Sequence, residues 1–198
     1  MDKQTVLEKI AKVVRVITVA PIMAAILIAV LYWQVPEFRD VYVMIISIVF
    51  LVVFPLLAYP LQPLIPGFKD KGREGQRNLA MLFAVIGYVV IVLVAVFINP
   101  SSGTWIIYLT YLLSAVLIAL LNKVIRVKAS GHACGVAGPV LALIWFAGAG
   151  ALYGLIFLAL VYWASLKTKR HKFVELLAGT LVPGCALAAA ILIVGGHI

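Results

Sequence analysis

KDKGREGQRN at 69–78 runs directly into LAMLFAVIGYVVIVLVAVFI at 79–98, ten residues dense in charge followed by twenty with none. A helix of that apolar length rises about 30 Å, the thickness of a bilayer's hydrocarbon core. Outward from it, similar hydrophobic stretches stand at 16–33, 41–62, 104–122, 132–148, 150–166 and 173–195. Each approaches the length a membrane helix needs, and together with 79–98 they make seven expected spans. The fifth and sixth are short and joined by small residues at 147–154, including Gly148 and Gly150, which reads as a helical hairpin. The chain is 65% hydrophobic and 12% charged, whereas soluble domains carry about 25% charged residues. The expected fold is an all-α polytopic transmembrane bundle. Connections are short and no repeat occurs, so residues 1–198 read as one integral membrane domain.

The segment before the first span is different. Residues 1–15 place Val6, Ile10, Val13 and Val14 on one helical face, with Lys3, Lys9, Lys12 and Arg15 elsewhere. That pattern suits an interfacial amphipathic helix that continues into the span. The apolar run within 1–33 is long and no small-residue cleavage site follows it, so it is expected to be retained as an anchor.

Charge is distributed with equal bias. The net charge is +9, and of sixteen Lys and Arg only Arg39 lies outside the N-terminus and the loops at 66–78, 122–131 and 166–172. The opposite connections, QVPEFRD, NPSSGT and the glycine hairpin, are neutral or nearly so. Positive charge marks the cytoplasmic side, which puts the N-terminus inside and the C-terminal GGHI outside. Because these basic residues interrupt membrane spans, their expected partners are anionic head groups or a phosphorylated substrate, not nucleic acid.

The acidic residues are Asp2, Glu8, Glu37, Asp40, Asp70, Glu74 and Glu175. Magnesium-dependent enzymes that hold lipid diphosphates need clustered carboxylates on facing helices. No DxxxD pair exists, which excludes the prenyltransferase and alcohol-phosphotransferase readings and leaves no expected metal site or cofactor. Cys134 and Cys185 show no metal or disulfide spacing and read as packing residues. His197 is terminal and is assigned no role.

The three basic loops each end near the start of a span, where helix N–H groups and the positive dipole end favour anions. Lys69, Lys71, Arg73 and Arg77 lie in the first, with Arg73 and Arg77 one turn apart. In KASGHACG at 128–135, Ser130 suits an N-cap, Gly131 permits close backbone approach, and His132 falls in the first helical turn. A capped helix with an interfacial histidine is the plainer alternative. In LKTKRHKFVELLAG at 166–179, Lys167 and Arg170 precede His171 and Glu175, which are spaced to share a helical face. A carboxylate there fixes one ring nitrogen of His171 and leaves the other as a nucleophile. A simple interfacial contact is again the alternative.

The order of these clusters resembles the type 2 phosphatidic acid phosphatase superfamily, relatives of the vanadium haloperoxidases. That family's pattern is Lys-x6-Arg-Pro, then Pro-Ser-Gly-His, then Ser-Arg-x5-His-x3-Asp, often with a following Ala-Gly. Ser130-Gly131-His132 and His171-x3-Glu175 with Ala178-Gly179 match it, over residues 69–179. Asp70 stands where the lysine is expected, flanked by Lys69 and Lys71. Asn78 and Ala129 replace prolines, Glu175 replaces aspartate, and Ser165 replaces the arginine six residues before the histidine. The resemblance implies a metal-independent phosphatase of membrane lipid phosphates or diphosphates, isoprenoid or glycerolipid. His171 would be the nucleophile, Glu175 its orienting partner and His132 the acid. Lys69, Lys71, Arg73, Arg77, Lys128, Ser130, Gly131, Lys167 and Arg170 would hold phosphate oxygens. The rival class is a non-enzymatic transporter or anionic-lipid-binding protein with a basic mouth.

Overall fold

A computed structural model describes residues 3–195; the terminal GGHI, including His197, lies beyond these but for Gly195. Among the described residues every regular element is helical: α1 (Lys3–Ile17), α2 (Ala20–Gln34), α3 (Val41–Leu64), α4 (Gly72–Ile98), α5 (Ser102–Ile125), α6 (Gly131–Ala147), α7 (Leu155–Lys167) and α8 (Phe173–Gly195). Short 3₁₀ turns at Pro36–Phe38, Lys69–Lys71 and Ala149–Gly154 serve as connectors.

Five helical segments are long and apolar enough to cross a bilayer: Val41–Leu64, Lys69–Ile98, Ser102–Ile125, Ala149–Lys167 and Phe173–Gly195. The first expected span is instead a broken one, with α1 and α2 meeting at 54°. Pro21 enters α2 in its first turn, where it lacks the N–H that would continue the helical ladder from α1. Counted as one, the pair gives six. The expected fifth span, α6, is an apolar helix of only 17 residues, below the length that qualifies alone. The chain is therefore an all-helical, membrane-embedded bundle. Side chains such as Phe97, Leu192 and Val96 remain largely exposed on it, as lipid-facing residues are.

The last helix organises the bundle. α8 packs most extensively on α5 and α6, α2 packs on α6, and α3 on α4. Leu27, Leu51, Ile91 and Tyr108 form the main core. Ser47 and Tyr108 satisfy one another there at 2.7 Å. A second cluster of Ile118, Ala129, Cys134 and Val182 lies under the SGH loop and fixes its height against α8.

α1 is not a free surface helix. It packs on α7 through Ala11 and Val14 against Ala164. Its buried face is Ala11, Val14 and Thr18, with Leu7 half-buried, while Ile10, Val13, Val16 and Ile17 stay exposed. Of the expected apolar face, Ile10 and Val13 point outward, Val6 is half-buried and Val14 enters the contact. A neighbouring stripe of small residues makes the protein contact, because only small side chains let the two helix axes approach closely.

Candidate active site

Two helix starts and a helix end converge on one end of the bundle. α7 terminates with Lys169 in the left-handed conformation (φ 50°), and Thr168 Oγ1 donates to the Ala164 carbonyl at 2.7 Å. The chain then reverses, so His171 lies just before α8. Sequence spacing had placed His171 and Glu175 together on one helix; the helix in fact begins at Phe173. Glu175 reaches back across its first turn. Its Oε2 accepts from His171 Nδ1 at 2.7 Å and from the Lys172 N–H at 3.3 Å. The second contact is half of a capping box, in which a carboxylate in the first turn satisfies a backbone N–H that has no helical partner. Since a carboxylate only accepts, His171 carries its proton on Nδ1 and presents the Nε2 lone pair.

The SGH loop is tied to the same carboxylate. Lys128 Nζ lies 3.6 Å from Glu175 Oε1, and the Ser130 N–H donates to the Glu175 carbonyl at 2.8 Å. Lys128 is mostly exposed, so this ion pair supports the arrangement and contributes little stability. Ser130 is fully buried and caps α6, its Oγ accepting from the Ala133 N–H at 3.3 Å. Gly179 explains the Ala-Gly run one turn along α8. A Cβ there would collide with the Ser130 carbonyl, so glycine is what permits α8 to touch this backbone. Gly131 is exposed, and a Cβ there would meet nothing within 4 Å.

Asn122 was missed by sequence reasoning. Its Oδ1 accepts from the Ala129 N–H at 2.7 Å and its Nδ2 donates to the Ala129 carbonyl at 3.1 Å. A proline at 129 would have no N–H to offer. The side chain of Asn122 therefore holds, by two hydrogen bonds, a loop that proline would otherwise stiffen. The missing proline was the available signal.

His132 is also fixed from an unexpected direction. Thr18 Oγ1 is 2.7 Å from the Val14 carbonyl and 3.1 Å from His132 Nε2. The hydroxyl has one proton, which goes to the carbonyl, so His132 donates Nε2–H to Thr18 and keeps Nδ1 as an acceptor. Arg15, one turn earlier, donates to the buried Ser165 Oγ at 2.9 Å. Neither contact had a local sequence signal.

The remaining basic residues divide. Arg73 and Arg77 sit within the first two turns of α4, which starts at Gly72 and not beside Asn78 as expected. With Arg15, Lys167 and Arg170 they line an open cavity of about 1000 Å³ between α1, α4 and the α7–α8 turn. Glu8 and Glu74 are its acidic members. Lys69 and Lys71 are exposed and outside this lining; Lys71 lies over the Phe68 ring at 6.0 Å. Gln62 pins their loop, donating to the Phe68 and Gly72 carbonyls. His132, His171, Glu175 and Lys128 border their own cluster and not the cavity wall, with Arg15 and His171 both within electrostatic range of His132. Among the described residues no three His, Cys, Asp or Glu side chains gather as metal ligands. The chain matches no protein-family model, no curated protein and no solved structure.

Proposed function

We propose that the protein is a metal-independent phosphatase of membrane lipid phosphates or diphosphates. The observation that carries this is the Glu175 hub. One carboxylate orients His171, contacts Lys128 and, through its own backbone carbonyl, holds the SGH loop. A capped helix needs none of these three contacts.

His171 Nε2 attacks phosphorus in line, the P–O bond to the leaving group breaks, and a phosphohistidine forms. With Nε2–H engaged by Thr18, His132 Nδ1 takes up a proton beside the bound anion and gives it to the leaving oxygen. Water then attacks phosphorus, losing a proton to His132 Nδ1 as the P–N bond breaks, and inorganic phosphate and His171 are released. The Gly131 N–H, Lys128 and Arg170 oppose charge growing on the equatorial oxygens, where each such donor is worth about 3–4 kcal/mol of barrier. Isoprenoid diphosphates and glycerolipid phosphates both fit this chemistry. The same reading counts α6 as a seventh crossing paired with α7, and puts the basic end at the cytoplasmic face with the N-terminus inside and the C-terminus outside.

A second reading, an anion-gathering membrane protein without chemistry, is favoured by the basic cavity, because the histidines do not line it. Phosphate release from short-chain lipid phosphates in detergent with EDTA separates the two. The phosphatase reading expects hydrolysis that orthovanadate inhibits and His171→Ala abolishes. Lipid phosphate binding without hydrolysis by the wild type supports the second reading.

A further inference from the structure

Arg15 is electrostatically out of place. Its guanidinium is half-buried, its hydrogen-bond partner is the neutral hydroxyl of the fully buried Ser165, and among the described residues it makes no ion pair. Arg170, in the α7–α8 turn, is close enough to repel it. Such a group costs free energy unless an anion compensates it. Its surroundings are built to hold it in place: Ala11 and Val14 fix α1 on α7, and Thr18, one turn beyond Arg15, bonds His132. The cavity before it carries Arg73, Arg77, Lys167 and Arg170 on its other walls.

We infer that Arg15, presented by the N-terminal helix and seated on Ser165, is the guanidinium that binds a phosphoryl anion between α1 and the α7–α8 turn, with Arg170 as its partner. Two guanidiniums facing one tetrahedral anion satisfy their fixed N–H forks and cancel their mutual repulsion. The position also accounts for Ser165. A small hydroxyl in α7 leaves room for an arginine that arrives from 150 residues away in sequence and accepts its hydrogen bond. The bent α1 is then part of the site and not only a membrane anchor. That the anion is a reacting phosphoryl group rests on the phosphatase reading; the binding site itself does not.

The test is anion binding to the full-length chain in detergent, by calorimetry and by ligand-induced shift of melting temperature. Inorganic pyrophosphate and a short-chain lipid phosphate are the probes, with chloride matching ionic strength. Arg15→Gln is expected to weaken binding about 10- to 100-fold, the loss of a charge-assisted hydrogen bond. Without ligand it should melt no lower than the wild type, because one unpaired charge is gone and the Ser165 hydroxyl can turn to a carbonyl of its own helix. A purely structural arginine would give the reverse: a lower melting point and unchanged affinity. Weakening toward both probes assigns the site to the phosphoryl group itself, and weakening toward the lipid alone assigns it to a head group delivered with its tail. Unchanged affinity for both overturns the inference, even if hydrolysis by the wild type is established. Binding that depends on Arg15 in a chain with no hydrolysis would uphold the site and sink the phosphatase reading alone.

Discussion

Glu37 and Glu175 perform the same structural act at two regions of the bundle. Glu37 Oε1 accepts from the Gly103 N–H at 2.6 Å in the first turn of α5; Glu175 Oε2 accepts from the Lys172 N–H at the start of α8. Both compensate helix N–H groups that lack intrahelical partners. The difference lies in what else each touches. Glu37 stands in a nearly neutral connection with no histidine or lysine on it, whereas Glu175 adds His171, Lys128 and the Ser130 loop. A cap alone explains the first. The second has partners a cap does not require, and the proposed function gives them a phosphoryl group to serve.

That contrast breaks if the two carboxylates respond alike to neutralisation. Glu175→Gln is expected to lower turnover of a lipid phosphate about 100- to 10,000-fold, as when a histidine-orienting carboxylate is replaced elsewhere. Glu37→Gln should stay within about 2-fold in turnover, because the glutamine carbonyl oxygen can still accept from the Gly103 N–H. Equal losses, with equal loss of folded protein, would reduce Glu175 to a cap.

Gly179→Ala sharpens the comparison next, because it strikes the contact between α8 and the SGH loop without touching a titratable group. The new Cβ must displace the Ser130 backbone, at about 1–3 kcal/mol in stability as for other overpacked sites. Melting should fall and activity should fall with it. A fully stable, fully active Gly179→Ala would mean the two elements are not held together as described.

The smallest of these effects belongs to Thr18→Val, which removes the acceptor for His132 Nε2–H. Losing one neutral hydrogen bond predicts a drop in kcat of about 5- to 10-fold with KM little changed, while Thr18→Ser retains activity. Valine behaving as wild type would remove α1 from any hold on His132.

What the sequence discloses and what it hides follow from the range of each interaction. The apolar segments are legible because hydrocarbon thickness acts on every one of them separately. Ser130 as N-cap and the His171–Glu175 pair are legible because capping and four-residue spacing are local, although the helix starts two residues past His171. Arg15 with Ser165, and Thr18 with His132, join positions 150 and 114 residues apart, and nothing near either partner announces the other. Two faint marks existed: Arg15 is the arginine among the lysines of α1, and Ser165 stands in an otherwise charged motif. The side of α1 that packs on α7 is hidden in the sequence for a related reason. Apolarity identifies what avoids water, but lipid and protein both satisfy that, and only the small side chains of Ala11 and Thr18 distinguish the packed side.

The central claim is that His171 becomes covalently phosphorylated. Turnover of a short-chain lipid phosphate, quenched in alkali where phosphohistidine survives, should leave a phosphate adduct on His171 by mass spectrometry. The adduct should be absent from His171→Ala together with phosphate release. Sustained phosphate release by His171→Ala would contradict the account.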